Sequence, residues 1–248
     1  MPFDMALTWA VATALIAGVT RGFSGFGGAL IFIPLVSAAF GPRVAAPSLL
    51  VIDTVLTLPI VIRALRACVW REVAPLAVGA VVAVPAGVAV LEYIDPLLLR
   101  WILAGLTFAL LALLVSGWRH GGSHPLPVTL GVGAVAGLLG GAAQMSGPPV
   151  VAYWLGSGQP SSQVRANLFG FFALVTVATA TAYTANGMMT WEVGHLVLIL
   201  GPAYAIGLAV GSKAFKGASD AHFRIAAYWV IAFAAFVSLP LFDALLRP

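Results

Sequence analysis

The sequence has few charged residues, one cysteine and only scattered histidines. Charged side chains make up 8% of the 248 residues and hydrophobic ones 61%, whereas a typical soluble domain is about a quarter charged. Cys68 is the single cysteine, which excludes an internal disulfide and a metal cluster built from cysteines. The composition therefore indicates a membrane protein, and we expect no metal or other cofactor.

The chain also lacks the short motifs of common enzymes and ATPases. It contains no H-E-x-x-H, G-x-S-x-G or G-x-x-x-x-G-K-[ST] sequence, so we expect neither an enzyme nor an ATP-driven pump. The isoelectric point near 9.6 arises from a few charges on short loops, and it indicates membrane orientation rather than nucleic-acid binding. The first apolar run lacks a basic start and a small-residue cleavage site, so no cleaved signal peptide is expected.

Long apolar runs recur from one end of the chain to the other. They do not alternate apolar and polar residues as the strands of a membrane barrel do, so they predict an all-α protein that crosses the membrane several times. We predict two repeats, 1–117 and 126–248, joined by a polar linker at 118–125. The first repeat comprises a hairpin at 3–42 and spans at 44–64, 73–92 and 97–117; the second comprises a hairpin at 126–160 and spans at 164–185, 193–212 and 223–245.

Both glycine spacing and loop charge support this duplication. At an offset of 119 residues, Gly18, Gly22 and Gly28 fall on Gly137, Gly141 and Gly147. Lys and Arg predominate in the loops 63–72, 118–125 and 213–224, which we therefore place inside, whereas the loops 92–100 and 185–192 are placed outside. These assignments alternate correctly only if each hairpin enters and leaves on the same side. The sequence thus predicts two repeats of inverted topology with both termini outside.

Each predicted hairpin contains a stretch that interrupts a helix. In "QMSGPPVV" (144–151), Ser146 is a good N-cap and Pro148 fits a first helical turn; Gly27 and Gly28 take these roles in "TRGFSGFGG" (20–28). A helix that starts inside a membrane offers unpaired N–H groups and a partial positive charge. Two such starts facing each other would form an anion site. The alternative is that the glycines only allow close helix packing. Gly18 lies away from the breaks, so we expect it to accept alanine.

At these residues the sequence resembles the sulfite exporter TauE/SafE family, also called the 4-toluenesulfonate uptake permease family. The motifs are "GVTRGFSGFGGALIFIPLV" (18–36) and "GAVAGLLGGAAQMSGPPVVAYWL" (133–155), followed by "RANL" (165–168). Gly25, Gly27, Gly28 and Pro34 carry the G-x-G-G-x-x-x-x-x-P spacing of the family, whereas "SGPP" stands where many members have further glycines. The resemblance implies transport of sulfite or small organosulfonates across a bacterial inner membrane.

We therefore expect a secondary transporter that exports a small sulfur-containing anion, bound at mid-depth by the two hairpin tips. Two alternatives remain: an uptake permease for another small organic anion, and a membrane scaffold without transport. We also expect contact with membrane lipid, and a homo-oligomer is left open. Asp53 and Trp154 are assigned to the pathway or to coupling. The predicted substrate-binding residues are Arg21, Ser24, Gly25, Gly27, Gly28, Gln144, Ser146, Gly147, Arg165 and Asn167.

Several of these residues have a structural alternative. Arg165 lies close to a predicted interface and would also be explained by snorkelling to the cytoplasmic surface. Arg21 would also be explained by a pair with Asp53 or with helix carbonyls, and Asp53 itself by proton coupling. Trp154 follows the second break and is as well explained by packing.

Overall fold

The computed structural model describes residues 3–95 and 125–215 continuously, together with isolated positions within 97–112 and 221–236. The two continuous stretches are helical and contain no strand. The predicted spans 97–117 and 223–245 and nearly all of the linker 118–125 lie outside the continuously described residues. These two stretches contain eight helices: α1 (Phe3–Ser24), α2 (Gly28–Phe40), α3 (Pro42–Ala64), α4 (Trp70–Tyr93), α5 (Leu126–Ala143), α6 (Gly147–Gly156), α7 (Ser161–Ala185) and α8 (Trp191–Phe215).

Six of these helices are long and apolar enough to cross a membrane, namely all except α2 and α6. The two exceptions are the returning arms of the predicted hairpins, with 13 and 10 residues. At about 1.5 Å per residue, neither reaches across an apolar layer about 30 Å thick. The predicted all-α membrane fold is confirmed.

The closest helix packing joins α1 to α8 and α4 to α5, and glycines make it possible. A Cβ atom added to Gly18 would lie 2.3 Å from the carbonyl oxygen of Tyr204, and one added to Gly137 would lie 2.0 Å from that of Ala80. Backbone therefore touches backbone at these glycines, as in other small-residue helix contacts. The expectation that Gly18 accepts alanine was wrong, because no side-chain movement can relieve a contact with backbone.

The helix contacts between the two halves of the chain come in matching pairs. Helix α1 packs on α8, and its counterpart α5 packs on α4; likewise α3 packs on α8, and α7 packs on α4. Helices α3 and α7, which are counterparts of each other, also touch. The first helix of each half is thus held by the fourth helix of the other half, so the two halves interlock.

The loops gather at two ends of the bundle. At one end, the loop after α3 contacts the first turns of α7, where Asn167 Oδ1 accepts from the Val69 N–H at 2.8 Å and Gln163 Nε2 donates to the Ala67 carbonyl at 3.1 Å. At the other end, Arg43 donates to the Glu92 carbonyl, joining the start of α3 to the end of α4. Because α7 runs from Ser161 to Ala185, the loop that follows Ala185 lies at the opposite end from Ala67.

Candidate functional site

The first break separates α1 from α2 at Gly25, Phe26 and Gly27. Gly25 and Gly27 have φ of +77° and +86°, a left-handed conformation that glycine adopts without strain. The Gly25 N–H donates to the Arg21 carbonyl at 2.9 Å and ends α1. Ser24 Oγ contacts the Thr20 and Phe26 backbone, so Ser24 holds the turn itself. Helix α2 then starts at Gly28, with Gly27 as its N-cap.

The second break separates α5 from α6 at Gln144, Met145 and Ser146. The Gln144 N–H donates to the Gly140 carbonyl at 2.9 Å, the bond of an αL helix ending, and the Met145 N–H donates to the Leu139 carbonyl at 3.2 Å. Gln144 has φ of +57° and is the one non-glycine residue of the described chain with a positive φ. It corresponds to Gly25 at the offset of 119, so both helices end with a left-handed residue at the same position of the repeat.

Helix α6 starts at Gly147, with Ser146 at the N-cap position. Ser146 thus takes the predicted N-cap position, although its side chain makes no cap hydrogen bond. Pro148 and Pro149 follow in the first turn and have no N–H to donate. The start of α6 therefore offers fewer backbone donors than the start of α2, and the two tips are chemically unequal.

The two breaks meet around a small cavity. A Cβ atom on Gly147 would lie 3.2 Å from Cβ of Phe26, so one tip contacts the other directly. The cavity has a volume of about 50 Å³, several times the roughly 10–15 Å³ that one water requires. It is lined by Arg21, Phe26, Gly27, Gly28, Ala29, Leu30, Leu49, Asp53, Gln144, Met145, Ser146, Gly147, Pro148, Phe172, Val175, Thr176, Thr179 and Tyr204.

The cavity lies near the middle of the long helices. Asp53 is halfway along α3, and Tyr204 is halfway along α8. Seven of the twelve residues singled out from the sequence line it: Arg21, Gly27, Gly28, Asp53, Gln144, Ser146 and Gly147. Ser24, Gly25, Arg165, Asn167 and Trp154 do not.

Arg21 and Asp53 form a buried ion pair on the wall of this cavity. Arg21 Nε donates to Asp53 Oδ1 at 2.8 Å and Nη2 donates to Oδ2 at 2.6 Å, the bidentate geometry of strong guanidinium–carboxylate pairs. Arg21 Nη1 donates to the Gly25 carbonyl, and Tyr204 donates to Asp53 Oδ1 at 2.7 Å. Arg21 therefore has both of the structural partners considered from the sequence, and the pair neutralises the wall.

Arg165 lies behind the first break rather than on the cavity wall. Its Nη2 donates to the Gly22 carbonyl at 2.7 Å, and its Nε is buried without a hydrogen-bond partner. The guanidinium stands over the rings of Phe215 at 4.3 Å and Phe169 at 5.2 Å, a favourable cation–π arrangement. Its head contacts the end of α1, so it extends toward the first tip instead of snorkelling away.

Asn167 and Trp154 belong to other environments. Asn167 Oδ1 accepts from the Val69 N–H, and its Nδ2 donates to Glu72 at 3.1 Å, so Asn167 joins the loop after α3 to α7. Trp154 is fully buried and packs edge-on against Phe171, with ring centroids 6.4 Å apart. Both residues support the bundle in this structure.

Sequence reasoning missed four residues of α7 and α8 that bring polar or aromatic groups to the wall. Tyr204, Thr176, Thr179 and Phe172 come from α7 and α8, far along the chain from the breaks. Tyr204 carries the strongest signal, since a tyrosine halfway along an apolar span needs a polar partner. The two threonines gave no signal in the sequence, because the hydroxyl of a threonine in a membrane helix usually bonds to a backbone carbonyl of the same helix, as that of Thr179 does to Val175.

A model of the family described as sulfite exporter TauE/SafE matches residues 10–238 of the chain. No curated protein and no solved structure matches the chain. The match covers both breaks, the cavity and every lining residue.

Proposed function

Because the chain belongs to the sulfite exporter TauE/SafE family, we propose that it is a secondary transporter that binds a small sulfur oxyanion in the cavity between the two breaks. Membership makes the protein a membrane transport protein for small anions. The exact site, the substrate and the direction belong to the proposal.

One observation carries the assignment of the cavity: a buried amide donor that lacks a partner. Gln144 Nε2 has no hydrogen-bond partner among the described residues, and Gln144 lines the cavity. The nearest acceptor is the Tyr183 hydroxyl oxygen, which faces the Gln144 side chain while its proton is donated to the Gly141 carbonyl at 2.8 Å, but this oxygen does not meet hydrogen-bond geometry with Nε2. A buried donor without an acceptor is unfavourable by about 1–3 kcal/mol, and an anion oxygen would supply the acceptor.

The first tip contributes the other attraction for an anion. Helix α2 begins at Gly28 on the cavity wall, so its first N–H groups and its partial positive charge face the cavity region. Oxyanions bind readily at such helix starts. The wall is otherwise neutral, which favours binding loose enough for release.

The orientation follows from loop charge and the interlocked halves. We propose two inverted repeats in the bacterial inner membrane, with both termini outside and 118–125 in the cytoplasm. The separation of Ala67 and Asn186 at opposite ends of α7 supports this arrangement. Export is the favoured direction, because expelling one negative charge from a negative interior gains about 2.3 kcal/mol per 100 mV.

The test is anion binding by purified protein, with one variant that fills the cavity. Calorimetry would compare sulfite, thiosulfate, methanesulfonate, isethionate, taurine and sulfoacetate, followed by flux of the best binder in proteoliposomes. Gly147→Val places methyl groups against Phe26 on the wall, and we expect it to abolish binding. Gly131→Val is the matched control, because nothing lies within 4 Å of a Cβ added to Gly131.

Three outcomes would contradict the proposal. Binding of none of these anions by the wild-type protein would remove the assigned substrate class. Full-affinity binding by a monodisperse Gly147→Val protein would place the anion elsewhere. Binding without flux in proteoliposomes would favour a sensor or scaffold over a transporter.

A further inference from the structure

We propose that this site distinguishes anions by charge and takes a monoanion in preference to a dianion of similar size. The inference rests on the proposed function and adds the substrate's charge to it. It is carried by the ionisable groups around the first break within the described residues, Arg21, Asp53 and Arg165, whose formal charges sum to one positive charge.

The described residues of the cavity wall carry no net charge. The ionisable residues among them are Arg21, Asp53 and Tyr204. Arg21 and Asp53 are paired through two hydrogen bonds, and their side chains are 7% and 21% exposed. Tyr204 uses its hydroxyl proton in the bond to Asp53, so it remains neutral. The pair cancels, and the next charge outward decides the balance.

That next charge is Arg165. Its guanidinium carbon lies 5.2 Å from the centroid of the Phe169 ring, and that of Arg21 lies 5.0 Å from the same centroid. The two cations therefore share one aromatic ring, and their separation cannot exceed the sum of these distances. No carboxylate lies within 4 Å of Arg165 in the described part of the chain. Arg21, Asp53 and Arg165, called the charge cluster below, thus carry a net charge of +1.

An anion that enters the cavity completes this cluster electrically. A monoanion brings the sum to zero, whereas a dianion leaves one negative charge in a largely buried environment, where uncompensated charge is strongly unfavourable. Two unit charges about 10 Å apart, at an effective dielectric constant of about 20, change an affinity by roughly tenfold. Arg21 and Asp53 line the cavity, and both arginines contact the Phe169 ring, so we expect an effect of this order.

The rival explanation is that Arg165 is a packing residue at the end of α1. Arg165 would then act only by stabilising the helix packing, through its hydrogen bond to the Gly22 carbonyl and its contact with Phe215. In that case its charge would be indifferent to the anion in the cavity. The two explanations differ in one measurable quantity, the ratio of dianion to monoanion affinity.

Methanesulfonate and sulfate are the probes for this ratio, because they have similar size and sulfur–oxygen geometry but differ by one charge. We expect the wild-type protein to bind methanesulfonate at least about tenfold more tightly than sulfate at neutral pH. Arg165→Gln lowers the cluster charge to zero and should weaken methanesulfonate binding by about tenfold. Asp53→Asn raises the cluster charge to +2 and should shift the preference toward sulfate.

Arg63→Gln is the control, because Arg63 is an exposed cation at the end of α3 and should leave both affinities unchanged. Arg165→Gln keeps the inference testable if Asp53→Asn, which leaves Arg21 unpaired, does not fold. An affinity ratio that stays constant in Arg165→Gln, or a wild-type protein that binds sulfate as tightly as methanesulfonate, would overturn the inference while leaving the proposed transporter intact. Absence of binding for every anion of the panel would instead remove the proposed function.

Discussion

Replacing Gln144 by glycine should weaken anion binding without lowering the stability of the protein. Gln144 holds a left-handed conformation, with φ of +57°, which is unfavourable for a residue with a Cβ by about 1–2 kcal/mol. Glycine removes that strain but orders a more flexible chain, a loss of about 0.5–1 kcal/mol. Because the Nε2 donor has no partner to lose, the net change in the free energy of unfolding should lie between about 0 and +1.5 kcal/mol.

The same change should weaken anion binding. A hydrogen bond from a neutral donor to a charged acceptor contributes about 1.5–3 kcal/mol, so losing the Gln144 amide should lower the affinity by about 10- to 150-fold. Thermal unfolding in detergent and calorimetry on the same preparation measure both quantities. Gly25, at the equivalent position of the first break, already shows that glycine suits this turn.

Gln144→Ala is the matched control, because it removes the amide but keeps a Cβ in the strained conformation. We expect it to lose affinity as Gln144→Gly does, without the gain in stability. The reasoning fails if Gln144→Gly unfolds more readily than Gln144→Ala, since the strain would then be absent. It fails equally if Gln144→Gly binds the anion with wild-type affinity, since the amide would then not face the ligand.

Two further predictions concern the cavity wall and the orientation of the chain. Thr176→Val should weaken anion binding by about 2- to 12-fold, because Thr176 brings a hydroxyl to the cavity wall, whereas Thr181→Val, on an exposed face of the same helix, should not; equal effects in calorimetry would exclude a role of the Thr176 hydroxyl. In intact cells, an impermeant maleimide should label Asn186→Cys but not Ala67→Cys, and the reverse pattern would overturn the proposed orientation. The native Cys68 gives little background, because burial raises the pKa of its thiol and leaves less reactive thiolate.

The sequence predicted the breaks well because their causes are local. Gly27, Ser146 and Pro148 act on the backbone within one or two residues, so the ends of α1 and α5 could be located to within a few positions. Family membership was likewise predicted from the two motifs and is confirmed.

The partners across the bundle could not be predicted in the same way. Asp53 and Tyr204 are 151 positions apart, and their contact depends on how α3 and α8 rotate and cross. Arg165 and Asn167 are two residues apart on α7, so they project in different directions: one reaches the first tip, and the other reaches the loop after α3. The motif "RANL" places the two residues together in the sequence, whereas the helix directs their side chains to different parts of the bundle.

The interlocked halves have a consequence for biosynthesis. Helix α1 leaves the ribosome before α8 does, but the groove that receives the glycine face of α1 belongs to α8. Until α8 has been made, Gly18 and Gly22 lack the helix on which they pack. Asp53 precedes α8 in the chain, so we expect Asp53 to neutralise Arg21 while the first helices insert. Neither half, expressed alone, contains the helix on which its own first helix packs.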